Sequence, residues 1–251
     1  MEFIDSHCHL HLPWFDNNKI KSVIKDARTN SVTHIVNCSS DPQSFKQVVE
    51  SGSLSDISVT LGLQPTLANE LTNADQIREV LERGTKIVAI GEVGLDYYWV
   101  KDDSKRLRQE SLFQSAIELA TEYKLPLVVH SRKAESRCLD VLEKFAHTPV
   151  LLHSFEGNLE EVNRSLDLGY LISIPTNVVI RKNRRKVAKR AGLENIVLET
   201  DSPFCAPSPD IKENTPKNIP IAAKKLCEVM DSELDDLSKV ILKTTKQFYQ
   251  I

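Results

Sequence analysis

The sequence predicts a (β/α)8 TIM barrel, of the α/β class, with an extra helix at its C-terminal end. Three observations predict it. Eight short apolar, β-branched runs alternate with segments of helical spacing along the chain, the pattern of a parallel sheet with crossover helices. The length of 251 residues suits one such barrel. Five of the runs end in a residue able to bind a metal, at the strand ends where a parallel barrel carries its chemistry.

The eight runs are Glu2–His7, Thr33–Ser39, Ile57–Leu63, Lys86–Glu92, Pro126–Ser131, Pro149–Ser154, Tyr170–Pro175 and Ile196–Ser202. Short apolar runs of this kind are how buried parallel strands read. Between them, Asn17–Asn30 places Ile20, Val23, Ile24 and Ala27 at helical spacing. Asp41–Ser51 opens on Asp-Pro, which suits an N-cap followed by proline at the first helical position. Asn73–Arg83 stops before Gly84. Ser104–Tyr123 reads as a long helix with Leu107, Phe113, Ala116, Ile117 and Ala120 on its apolar side. Glu135–Phe145, Leu159–Leu168 and Arg184–Ala191 follow, and Ile219–Met230 and Ser232–Tyr249 close the chain as two helices. No low-complexity linker or internal repeat intervenes, so residues 1–251 are expected to form one domain. A doubly wound open sheet is the structural alternative, but it would gather ligands at one switch point instead of around every strand end.

Hydrophobic and charged contents of 41% and 27% are ordinary for a soluble globular protein. A formal charge of −3 gives no global attraction to nucleic acid, so polyanion binding must come from a local patch. The five cysteines are odd in number and form no CxxC pair, which fits free thiols in a reducing compartment. The chain opens on a strand-like run and has no apolar stretch near the roughly 20 residues needed to span a bilayer. A cytoplasmic location is expected, with no membrane contact and no obligatory protein partner evident.

The candidate ligands are His7, His9, Glu92, His130, His153 and Asp201. His7 and His9 are two apart on a strand, so both side chains face the same way and can reach one ion. An isolated pair of histidines is more often packing than ligation; Asp5-Ser6-His7-Cys8-His9 at a strand end shifts that balance. His11 lies just beyond and is expected to belong to the loop. Glu92 stands in Ile90-Gly91-Glu92-Val93-Gly94-Leu95-Asp96-Tyr97, where the glycines allow close backbone approach and the two carboxylate oxygens can bridge two metals. Asp96 and Tyr97 are expected to shape the loop. His130 and His153 occupy equivalent places one barrel unit apart, and that repetition favours a shared role. Asp201 can ligate and also orient or deprotonate a water, with Glu199 behind it. The alternatives for each residue taken alone are a buried histidine with a satisfied ring or a carboxylate paired with Lys or Arg. Read together, the six describe a two-metal site.

Around the same mouth, Gln64 and Arg132 are candidate substrate contacts, Arg132 through its planar fork. The run Arg181-Lys182-Asn183-Arg184-Arg185-Lys186-Val187-Ala188-Lys189-Arg190 has seven positive residues in ten. Such a run is usually a solvated helix face. Its start at the end of the seventh strand also makes Arg181, Arg184 and Arg185 candidates for a phosphate-binding patch.

The motifs Asp5-Ser6-His7-Cys8-His9, Gly91-Glu92-Val93-Gly94-Leu95-Asp96-Tyr97, His130-Ser131-Arg132, His153-Ser154-Phe155-Glu156-Gly157 and Glu199-Thr200-Asp201-Ser202-Pro203, in this order and over nearly the whole chain, resemble the TatD family of metal-dependent deoxyribonucleases among the amidohydrolase-like barrels. The resemblance implies two divalent metal ions (Mg, Mn or Zn). His7, His9, Glu92 and Asp201 would hold one; Glu92, His130 and His153 would hold the other. It also implies DNA as substrate and hydrolysis of phosphodiesters, often from an end. In two places the chain departs from the family pattern. Gln64 stands where the family has a histidine after the third strand, which bears on rate, metal or substrate. Ser154 and Glu156 replace Cys and Ser of the sixth-strand motif, and Glu156 adds negative charge near the mouth.

The leading expectation is therefore a metal-dependent nuclease in which Glu92 and Asp201 are catalytic, with Asp201 orienting the attacking water and accepting its proton. A second expectation keeps the metals and changes the substrate to a small ester, amide or lactone. The lack of a lysine at the end of the fourth or fifth strand argues against a carbamate-bridged centre. A third is a binding protein with little catalysis, for which Gln64 is the only support.

Overall fold

The computed structural model describes residues 1–13, 15, 17–69 and 72–251, with the backbone alone at 17 and 18. Eight strands form one sheet in sequential order, every neighbouring pair parallel. They are β1 (Phe3–Cys8), β2 (Val32–Cys38), β3 (Ile57–Leu61), β4 (Ala89–Asp96), β5 (Leu127–Arg132), β6 (Val150–Leu152), β7 (Leu171–Pro175) and β8 (Ile196–Glu199). The helices are α1 (Asn17–Thr29), α2 (Phe45–Ser51), α3 (Asp75–Glu82), α4 (Asp103–Tyr123), α5 (Glu135–Phe145), α6 (Leu159–Asp167), α7 (Lys182–Ala191), α8 (Ile219–Met230) and α9 (Leu234–Tyr249). The expected barrel is thus observed. β8 meets β1 just past its own end, where Asp201 N donates to His7 O at 2.9 Å and His9 N to Ser202 O at 2.8 Å.

Two apolar layers hold the barrel. The outer one lies between sheet and helices and includes Phe3, Ile35, Leu61, Phe113, Leu139 and Leu198. The inner one fills the barrel with Ile4, Val36, Cys38, Ala89, Val128, Leu151 and Val197, joined by Phe248 and Tyr249 from α9. The last turn of the C-terminal helix therefore plugs the barrel, and the Tyr249 hydroxyl donates to Ser6 O at 2.8 Å. No helix among the described residues is long and apolar enough to cross a membrane.

Several boundaries differ from expectation for local reasons. β4 does not stop at Glu92 but runs on to Asp96, pairing Gly94 with His130 and Asp96 with Arg132. Gly94 permits this: its φ is +138°, and a Cβ there would lie 2.1 Å from His130 O. Asp41 does not cap a helix. It makes a turn instead, its carboxylate accepting from Ser44 N at 2.8 Å, and α2 starts at Phe45. β8 ends at Glu199, which leaves Asp201 on the following loop. Leu107, placed by spacing on the apolar side of the long helix, is 68% exposed. Gln109 is buried in its stead, with its amide accepting from Asp96 N at 3.1 Å and donating to Pro65 O at 3.0 Å.

Candidate metal centre

A single alternation delivers much of the centre. Val128 on β5 faces the inner core and His130 follows two residues on; Leu151 precedes His153 in the same way, and Val197 precedes Glu199. Side chains two apart share a face, so a floor of aliphatic residues carries a ring of ligands one step nearer the C-terminal mouth.

Glu92 is the hub. Its Oε2 lies 3.0 Å from His7 Nε2, 3.5 Å from His9 Nε2 and 3.6 Å from His153 Nε2. Its Oε1 lies 3.3 Å from His130 Nδ1. Asp201 Oδ1 is 3.6 Å from His9 Nε2 and 3.8 Å from His153 Nε2. The Nε2 atoms of His7 and His9 are 3.1 Å apart. Three groups of side chains thus converge: His7, His9 and Asp201; Glu92, His130 and His153; and His7, His153 and Glu199. All six sequence-predicted ligands are brought together.

The far side of each ring is fixed. His9 Nδ1 faces Cys38 O at 3.0 Å, His153 Nδ1 faces Glu199 Oε2 at 2.9 Å, and His130 Nε2 faces Asp96 Oδ2 at 3.0 Å. Those oxygens only accept, so each of these nitrogens carries the proton. When such a ring is neutral, its other nitrogen offers a lone pair, from His9 and His153 toward Glu92 and Asp201 and from His130 toward Glu92. His7 Nδ1 meets the Cys38 thiol at 3.1 Å. Glu199 in turn accepts from Ser173 Oγ.

This arrangement fits a bound divalent cation. Glu92 Oε2 is buried and has no hydrogen-bond partner, although three imidazole nitrogens surround it. Lone pairs facing a carboxylate repel unless a cation lies between them. Ligand bonds of about 2.0–2.2 Å separate neighbouring donor atoms by roughly 3–3.5 Å, the spacing seen here. Histidines that ligate metals also characteristically give their second N–H to a carboxylate or carbonyl. The acids alone strain the ionisation of the cluster. Burial lowers the proton affinity of His153, but Glu199, Glu92 and Asp201 outweigh it and push its pKa up to about 10. Burial likewise lowers the proton affinity of His130, but Asp96 and Glu92 outweigh it and push its pKa up to about 9. Burial would raise the Glu92 carboxyl, yet the four imidazoles hold it well below the usual carboxylate range.

Outside this cluster a cavity of about 360 Å³ opens, lined in part by Gln64, Arg132, Arg181 and Arg184. Arg132 lies at its rim, its guanidinium 4.1 Å from the centre of the Tyr98 ring. Arg184 is 5% exposed; it donates to Ser154 O and Oγ and pairs with Glu156 at 3.2 Å. The charge that Glu156 brings to the mouth is thereby matched inside the wall. Arg185 does not line this cavity. One residue further round α7 than Arg184, it donates to the carbonyls of Val178 and Val179, both at 2.9 Å. His11 stays with the loop, its Nε2 3.1 Å from Ser40 Oγ.

Some contributors stand outside the six candidate ligands. Asp96 is more than a loop residue, because it clamps His130. Cys38 holds two rings, one through its thiol and one through its carbonyl. Asp5 ties the first strand to the last loop by accepting from Thr200 N at 2.8 Å and from the Thr200 hydroxyl. Asn214, buried, donates to Thr200 O at 2.9 Å and to Phe204 O at 2.8 Å and so braces the loop that carries Asp201. Asp5 stood two residues before His7 and was open to notice; Asn214 lies in no motif.

The amino-acid sequence matches the family model described as TatD related DNase over residues 4–250. The chain belongs to that family. Among its TatD relatives, an uncharacterised metal-dependent hydrolase of Methanocaldococcus jannaschii is 29% identical over 100% of this chain and 98% of its own length. Human deoxyribonuclease TATDN3 is 27% identical over 98% of this chain and 94% of its own. The crystal structure of a TatD homologue from Escherichia coli superposes with a TM-score of 0.91 at 26% identity, covering 99% of this chain and 98% of that one. The protein is therefore a TatD-family metal-dependent hydrolase.

Proposed function

We propose that this protein is a divalent-metal-dependent deoxyribonuclease that hydrolyses DNA phosphodiester bonds from a chain end, using two ions in one domain spanning residues 1–251. The observation that carries the two-ion reading is the position of Glu92. Its two oxygens face different nitrogen sets, His7, His9 and His153 on one side and His130 on the other. His7, His9, Asp201 and Glu92 would hold one ion; Glu92, His130 and His153 the other. The deoxyribonuclease name borne by the human relative supports DNA as substrate.

Bound divalent ions would offset charge on the scissile phosphate and raise the acidity of a water. The protein's own groups supply the rest. Arg132 and Arg181 at the rim and Arg184 in the wall face the cavity, where their charge favours a phosphate. Glu92 is 1% exposed, whereas the Asp201 side chain is 14% exposed and reaches the cavity. Asp201 is thus placed to take a proton at Oδ1 from the attacking water. Its Oδ2 accepts from the Cys205 thiol at 3.3 Å, which fixes the direction of Oδ1. The water oxygen bonds to phosphorus as the P–O bond to the leaving nucleotide breaks, and the proton passes to that leaving oxygen.

The test is digestion of end-labelled single- and double-stranded DNA with Mg²⁺, Mn²⁺ or Zn²⁺, with EDTA and Asp201→Asn as controls. Release of labelled nucleotide that needs both metal and Asp201 is expected. Metal-loaded protein that cleaves no DNA but hydrolyses small esters or lactones would overturn the nuclease assignment.

A further inference from the structure

A second groove adjoins the metal cavity. It encloses about 970 Å³ and shares Thr66 and Trp99 with the metal cavity. Trp99 thus forms the partition between them, and it is 64% exposed. With Tyr98, which is 41% exposed, it presents an open aromatic pair beside the metal cavity.

The partition is rigidly built. Trp99 N donates to Asp96 Oδ1 at 2.7 Å, and the other oxygen of that carboxylate meets His130 Nε2 at 3.0 Å. One carboxylate therefore fixes a candidate metal ligand and the tryptophan backbone together. Tyr98 packs edge-on to the indole with centroids 4.8 Å apart, and the Arg132 guanidinium lies 5.6 Å from it. Beyond the indole the groove is lined by Lys101, Lys105 and Arg108. Lys101 Nζ donates to Tyr97 O at 2.8 Å and Arg108 to Thr72 O. The acid in the lining, Asp102, accepts from Lys105 N at 2.9 Å and from Ser104 Oγ as the cap of α4.

We propose that Trp99 and this groove form a subsite for the nucleotide next to the scissile one, with its base stacked on the indole and its phosphate near Lys105. The inference rests on the deoxyribonuclease reading above and names residues that extend its substrate footprint. The occupant is a nucleic acid strand because an aromatic platform beside a cationic groove matches the two recurring parts of a nucleotide, base face and phosphate. The base must be unpaired at that point, since a base inside a duplex has no free face to offer.

The experiment uses metal-loaded Asp201→Asn protein, which is expected to bind without turning over. Binding of fluorescein-labelled octathymidylate is followed by anisotropy, alone and with Trp99→Ala, Trp99→Phe or Lys105→Glu added. Trp99→Ala is expected to weaken binding roughly 5- to 150-fold, the range for loss of one stacked base. Trp99→Phe should keep most of the affinity, and Lys105→Glu should weaken it and flatten its salt dependence. Unchanged octathymidylate affinity in Trp99→Ala and Lys105→Glu would overturn the subsite while leaving the nuclease reading intact, provided wild-type protein cleaves DNA. No octathymidylate binding by the parent would overturn the subsite, and absence of DNA cleavage by the wild type would separately overturn the nuclease reading.

Discussion

Glu199 Oε2 lies 2.9 Å from Nδ1 of His153, and both side chains are buried. This contact turns the opposite nitrogen of His153 toward Glu92 and Asp201. Glu199→Gln should leave the fold intact and weaken metal binding by about 10- to 100-fold, the usual effect of removing a carboxylate behind a histidine ligand. Titration of metal-free protein with Zn²⁺ or Mn²⁺, followed by calorimetry, checks it. Unchanged affinity would show that the carboxylate does not orient the ring.

Asp201 sits at φ +55°, in the left-handed region. Asparagine adopts that region readily, so Asp201→Asn removes the base without straining the loop. Turnover should fall by about 10²- to 10⁴-fold, with the melting temperature of metal-free protein little changed. Full activity in this variant would remove Asp201 from the chemistry.

Arg181 and Arg184 belong to one basic run but are expected to respond differently. Arg184 is buried against Ser154 and Glu156. Arg184→Met should destabilise by about 1–3 kcal/mol in urea, because Glu156 keeps partial access to solvent and loses only part of its compensation. Arg181 is exposed at the cavity rim. Arg181→Glu should leave stability within about 0.5 kcal/mol and lower kcat/KM for DNA while sparing bis(4-nitrophenyl) phosphate. Equal losses on both substrates would argue against a role in binding the polyanion.

Gly94 supports the centre through backbone alone. Gly94→Ala would set a Cβ against the His130 carbonyl at a positive φ. A loss of at least about 3 kcal/mol is expected, read from urea unfolding of metal-free protein. Wild-type stability would show that β4 and β5 can part without cost.

Metal removal should destabilise the protein in a concentration-dependent way. At free metal 100-fold above Kd, one site adds about 2.7 kcal/mol. The melting temperature should rise with added metal in the wild type and rise less in a His7→Ala, His9→Ala double variant, which keeps Glu92, His130 and His153. A flat wild-type profile would argue against stable metal occupancy.

The eight strands and the ligands near their C-terminal ends were legible because chain direction, apolar runs and nearby ligands coincide in a parallel barrel. His130 and His153 could be placed from the residues before them alone. What the sequence hid depends on contacts between distant segments. Asp96 reads as a loop residue until β4 is seen to continue past Glu92, and that extension depends on Gly94 lying against His130. Arg184 and Arg185 look alike in a basic run; helical rotation sends one to the cavity wall and the other to the carbonyls of Val178 and Val179. Leu107 fits the helical period yet points outward, because Gln109 is needed to satisfy Asp96 N and Pro65 O. Asn214 braces the Asp201 loop across sequence with no periodic or motif signal.

The most direct test of the two-ion centre is the metal content of purified, metal-saturated and desalted protein, measured by elemental analysis beside Glu92→Gln. Two divalent ions per chain are expected in the wild type, and a loss of metal in Glu92→Gln, since Glu92 faces both nitrogen sets. One ion or none in the wild type, or full occupancy in Glu92→Gln, would contradict the two-ion centre.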